Sequence, residues 1–123
     1  MRTLLAGLLA AAALAAPAAR GTGGDDESRA RIVCAGARVE LRVKSEDDDR
    51  LELELRVDGR GRAGSWYIVM LHDRALVWHG RRWMKSYGSV RVRRTVADWP
   101  GEETVTARVR LGSGRLCTVR TRI

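Results

Sequence analysis

The stretch Val39-Glu40-Leu41-Arg42-Val43-Lys44, followed after an acidic break by Leu51-Glu52-Leu53-Glu54-Leu55-Arg56-Val57, decides the fold of this chain. Apolar and charged residues alternate with period two. That is the period of a strand which buries one face and wets the other. No segment holds helical spacing over enough length to compete. Working outward, further short runs recur: Trp66 to His72, Leu76 to His79, Ser89 to Val96, Thr104 to Leu111 and Leu116 to Ile123. Turn residues separate them at Asp47 to Asp49, Asp58-Gly59 through Gly64, Gly80, Gly88, Pro100-Gly101 and Gly112 to Gly114. About seven strands at this spacing predict an all-β fold, an immunoglobulin/fibronectin type III-like two-sheet sandwich, with a small β-barrel as the alternative. In a fibronectin-type order the first, second and fifth of these runs share one sheet and the other four share the second.

The N-terminal segment reads as a secretory leader. Arg2 supplies a positive start, and Leu4 to Ala16 are apolar and uncharged before Pro17 and Arg20 end the run. This is shorter than the ~18 apolar residues a membrane helix needs. Small-residue sites at Ala13-Leu14-Ala15 and Ala16-Pro17-Ala18 place cleavage between Ala16 and Arg20. Residues 1–19 are therefore expected to be a signal peptide, residues 20–30 a flexible arm, and residues 31–123 one sandwich domain. A lipoprotein is disfavoured, because Val33 stands where a lipobox needs a small residue. The expectation is a soluble, extracellular protein with no transmembrane segment after the leader.

The whole chain carries a net charge of +8, unevenly spread. Residues 19–73 hold ten basic and twelve acidic side chains, whereas residues 74–123 hold twelve basic and three acidic. Attraction to an anionic partner should therefore reside in the second half. Arginine supplies nearly all of it, and part of that abundance reflects codon composition.

Two cysteines, Cys34 and Cys117, stand near the two ends of the domain. The assigned strand order puts them on opposite sheets at one edge, where a disulfide is geometrically natural and export permits it. A thiol metal or redox pair is disfavoured by their spacing, which fits no CxxC pattern.

The run Trp66-Tyr67-Ile68-Val69-Met70-Leu71-His72, with Gly88-Ser89-Val90-Arg91-Val92-Arg93-Arg94, Asp98 to Gly101, Ala107-Arg108 and Gly114-Arg115-Leu116-Cys117, resembles a loose family of small secreted β-sandwich proteins from high-GC Gram-positive bacteria. The likeness spans roughly the whole mature domain and lies in structural motifs. It implies a fold and no activity, so no functional residue is carried over. The chain departs from that family at Asp73-Arg74, where an Asn-Gly-like turn is expected.

Signatures of chemistry are weak. Glu46-Asp47-Asp48-Asp49 offers oxygen ligands but no calcium-loop spacing, and it sits where a hairpin turn belongs. His72 and His79 flank one hairpin and lack a third ligand. No serine stands in a nucleophile elbow. No catalytic residue, cofactor or metal is assigned.

If Asp73-Arg74 is a two-residue turn, Met70 faces Val77 and Val69 faces Trp78. With Trp66, Ile68, Met70 and Val77 inward, the residues Tyr67, Val69, Leu71, Leu76 and Trp78 point outward beside Arg108, Arg110, Arg120 and Arg122. A register slip of one residue would exchange faces, and the arm or the segment from Arg81 to Tyr87 could fold over the stripe. Tyr, Trp and Arg are the residues enriched at binding hot spots. The expected function is a non-enzymatic binding module, its partner an unknown protein or a second copy. One alternative is binding of an anionic envelope polymer through the basic segment Arg81, Arg82 and Lys85 and the later arginines. Another is a protease inhibitor presenting the loops Gly59 to Ser65 or Arg81 to Gly88. Nucleic acid is disfavoured, since no reading motif is present.

Overall fold

A computed structural model of the protein describes residues 26–47 and 49–123. Eight strands carry the alternation into space: β1 (Glu27–Cys34), β2 (Ala37–Glu46), β3 (Arg50–Asp58), β4 (Gly64–His72), β5 (Ala75–Met84), β6 (Ser89–Ala97), β7 (Thr104–Leu111) and β8 (Cys117–Arg122). They form two antiparallel four-stranded sheets, ordered β1-β2-β3-β6 and β5-β4-β7-β8. The seven strands read from the sequence fall into the expected groups, and the fold is a two-sheet sandwich. The eighth, β1, begins inside the segment expected to be a flexible arm. Its residues Glu27 to Ala30 are paired with β2, from Glu27 opposite Lys44 to Ala30 opposite Leu41. The leader and the rest of the arm lie outside the described residues.

Each strand buries every second side chain. Leu51, Leu53, Leu55 and Val57 from β3 meet Trp66, Ile68 and Met70 from β4, all wholly buried. Each such side chain stabilises the fold by roughly 1.5–3 kcal/mol relative to exposure. Val105, Ala107, Val109 and Val119 complete the core from the second sheet. Their charged neighbours in sequence are thereby forced outward, so the same alternation that builds the core also builds the arginine columns.

The two long edges of the sandwich close differently. At the β1/β8 edge, a Cys34–Cys117 disulfide joins the sheets with its Cα atoms 6.0 Å apart. The hydroxyls of Ser28 and Thr121 hydrogen bond along the same edge. At the β5/β6 edge, the Trp78 ring is flanked by the guanidinium of Arg82 at 4.6 Å and that of Arg94, from the other sheet, at 5.1 Å.

Candidate functional site

The outer face of β5-β4-β7-β8 follows from register. Tyr67 lies opposite Arg81 on one side and Arg110 on the other; Val69 lies opposite His79 and Arg108; Leu71 lies opposite Leu76 and Thr106. Thr106 in turn faces Arg120, and Thr104 faces Arg122. The Tyr67 ring sits between two guanidiniums, Arg110 at 5.5 Å and Arg81 at 5.8 Å from its centroid. Such contacts use the negative face of the ring and hold both cations in place. The Nε–H of Arg110 is shielded there and has no acceptor among the described residues.

Electrostatically, the two outer faces differ in kind. On the outer face of β5-β4-β7-β8, Arg122 has a carboxylate neighbour, Glu102 at 3.8 Å. Among the described residues, Arg81, Arg108, Arg110 and Arg120 have none within 4.0 Å. Asp73 borders the lower part of this face, and its Oδ1 accepts the Thr104 N–H. On β1-β2-β3-β6 most outward arginines meet a carboxylate, Arg31 with Glu40, Arg42 with Glu52 and Glu54, and Arg56 with Asp58, whereas Arg38 and Lys44 have none within 4.0 Å among the described residues. Glu54 collects Arg42, Arg91 and Arg93 at 3.3, 3.2 and 3.0 Å. Burial pushes its carboxyl up, but the Arg93 hydrogen bond and the charges of Arg42, Arg93 and Arg91 outweigh this and hold it below the usual range. Arg93 lies opposite Glu54 and Arg91 opposite Arg56, so Glu54 serves both arginines while Glu52 turns to Arg42.

The expected stripe needs one correction. Asp73-Arg74 is the two-residue turn, with Leu71 opposite Leu76, but a bulge follows and Met70 pairs with Trp78 rather than Val77. Val77 is the extra residue. Beyond it the faces of β5 exchange, so Trp78 turns to the edge of the core and His79 and Arg81 turn outward. Tyr67, Val69, Leu71, Leu76, Arg108, Arg110, Arg120 and Arg122 do share the outer face; Trp78 does not. The physical signal was Gly80. A Cβ there would lie 2.7 Å from Trp78 Cζ2, so the indole lies across a position only glycine leaves open.

The basic segment also divides. Arg81 joins the outer face, Arg82 stacks on Trp78 at the edge, and Lys85 lies in the loop after β5. Of the proposed covers, the described part of the arm pairs within the other sheet as β1, residues 20–25 lie outside the described residues, and Trp83 and Tyr87 are 70% and 85% exposed.

His72 and His79 do not share a face. His72 is buried, with Nε2 2.6 Å from Glu103 Oε1 and its ring stacked on Trp99 at 3.9 Å. The same Glu103 oxygen accepts the Trp99 N–H, and the Glu103 backbone pairs with Ile123 in both directions. Burial first, and then the hydrogen bond shared with Asp98, raises the Glu103 carboxyl above its usual range. This arrangement pins the 98–103 connection to the end of the sandwich, and nothing in the spacing of Glu103 announces it. Among the described residues, no group of three His, Cys, Asp or Glu side chains could hold a metal ion.

No family model, no curated protein and no solved structure matches the chain.

Proposed function

We propose that the protein is an exported, non-enzymatic binding module that holds an anionic polymer of the cell envelope across the outer face of β5-β4-β7-β8. One observation carries this reading: among the described residues, Arg81, Arg108, Arg110 and Arg120 share that face without a carboxylate within 4.0 Å, while Arg29, Arg31, Arg42, Arg56, Arg91 and Arg93 of the opposite sheet each have one. A guanidinium presents a planar fork of donors suited to phosphate or carboxylate oxygens. Arg108 and Arg110 alternate along β7 and Arg120 and Arg122 along β8, about 7 Å apart within each strand, and the register offsets the two rows diagonally, with Arg120 opposite Thr106 and Arg108 opposite Thr118; such rows suit a ligand whose charges also recur.

A second copy of the chain fits this face less well. A two-fold contact would bring unneutralised arginines against one another, and like charges across an interface are unfavourable. A protease inhibitor is also less well supported, because Arg81 to Met84 are locked in β5 and Arg60 sits in a turn with φ 47° rather than in an extended segment.

Calorimetric titration with linear polyphosphate, and with neutral dextran as control, tests the reading. Binding of polyphosphate alone, weakening steeply with salt, is expected. Absence of binding, or light scattering that reveals a salt-resistant dimer, would overturn it.

A further inference from the structure

The two ends of the sandwich differ as sharply as its two faces. One end gathers the β1–β2 turn and the connections 59–63, 85–88 and 112–116, held together by the disulfide and by a hydrogen bond from the Gly59 N–H to the Gly88 carbonyl. These connections contain Arg60, Arg62, Lys85 and Arg115 and no acidic residue. The opposite end carries Asp47, Asp49, Asp73, Asp98, Glu102 and Glu103 against Arg74 alone among its described connecting residues.

Exposed apolar side chains follow the same division. Six large ones are exposed among the described residues, and four of them, Val33, Trp83, Tyr87 and Leu116, lie at the cationic end. Val33 and Leu116 flank a shared depression beside the disulfide. Tyr87 is held in the left-handed region at φ 61°, where a side chain costs roughly 1–2 kcal/mol. Its ring nonetheless projects beside Gly61 into solvent.

From this we infer that the cationic end docks onto an anionic lipid bilayer. An end with separate exposed aromatic and aliphatic side chains suits a surface whose headgroups can part around each of them. Trp and Tyr favour the headgroup level, where the ring is apolar and its N–H or O–H stays wet. Each nearby Lys or Arg adds attraction to acidic headgroups, and the acidic far end is repelled, so the long axis stands away from the membrane. Trp83 also lies on the outer face beside the arginine rows, opposite Ser65, so a docked molecule holds that face upright above the bilayer. The inference stands apart from the polymer reading, because it uses different residues.

The test compares wild type with Trp83→Ala and with Trp83→Ala/Tyr87→Ala on vesicles of equal parts phosphatidylglycerol and phosphatidylcholine, and on pure phosphatidylcholine. Tryptophan emission and its quenching by brominated acyl chains are read. All the proteins carry the same residues 1–25, so differences among them belong to the substituted side chains. Wild type is expected to blue-shift and to be quenched on the anionic vesicles only. Trp83→Ala should lose that quenching, and the double variant should partition at least about tenfold more weakly. Both side chains are exposed, so an unchanged circular dichroism spectrum verifies folding. Failure to bind anionic vesicles, or quenching and partition that survive Trp83→Ala, would overturn the inference. So would quenching lost on Arg108→Ala/Arg120→Ala. Polyphosphate binding by the double aromatic variant separates the readings: it persists whether or not the lipid contact exists.

Discussion

Removing two arginines from the candidate face should change not only the affinity for a polyanion but its dependence on salt. Among the described residues, four guanidiniums on that face have no carboxylate within 4.0 Å: Arg81, Arg108, Arg110 and Arg120. A flexible polyanion that neutralises four cations loses affinity with a log–log slope of about −0.7 per contact, about −2.8 in all, or about 50-fold between about 50 and about 200 mM salt. Arg108→Ala/Arg120→Ala leaves two contacts and a slope of about −1.4, so the same change of salt weakens binding only about 7-fold. The matched control is Arg56→Ala/Arg91→Ala on the other sheet, which removes the same net charge from side chains already facing Asp58 and Glu54. Titrations with polyphosphate at four salt concentrations measure both slopes. Equal slopes for the two double variants would refute the reasoning, since net charge rather than the face would then govern binding.

Three further outcomes follow from the same geometry. Cys34→Ala/Cys117→Ala releases a closure spanning 83 residues. By chain entropy that is worth about 4.5 kcal/mol, so thermal melts should fall by about 20 °C or more, and a fall under about 5 °C would contradict it. Trp78→Ala should destabilise by about 2–3 kcal/mol by opening the β5/β6 edge, with polyphosphate affinity unchanged; weakened binding in a folded variant would return Trp78 to the face. The third outcome concerns pH. Glu103 has a raised folded-state pKa, so its contribution is present below its unfolded pKa and is lost as pH rises through the folded one. Glu54 is depressed, so its contribution is present above its unfolded pKa and is lost as pH falls through the folded one. In urea melts from about pH 3 to about pH 8, Glu54→Gln should lose stability at neutral pH and Glu103→Gln should not, and changes of the same sign would count against both assignments.

Much of the fold was legible because burial in a sandwich is written with period two. Val39 to Val43, Leu51 to Val57 and Val105 to Val109 each state which face is inward, and the sheets follow that statement. β1 was obscured because Glu27, Arg29 and Arg31 face water on an edge strand, leaving Ala30, Ile32 and the terminal Cys34 to meet the core. Such a strand has the composition of a linker. The candidate site was legible on β4, β7 and β8, where alternation is unbroken. On β5 it failed at one residue, since the bulge at Val77 reverses every side chain beyond it. The Gly80 that accommodates Trp78 was present in the sequence but has two meanings, strand end and close approach. The His72, Glu103 and Trp99 anchor was not legible at all, because it joins residues 31 positions apart through a connection without periodicity.

The most direct test is a map of where a polyanion touches the protein. Two-dimensional NMR of the folded, oxidised chain, recorded during titration with linear polyphosphate, resolves each strand's amides and the arginine Nε–H groups. The account predicts shifts concentrated on the outward residues of β4, β5, β7 and β8, led by Tyr67, Arg81, Arg108, Arg110 and Arg120. Shifts concentrated on β1, β2, β3 and β6, or distributed evenly over both faces, would contradict it.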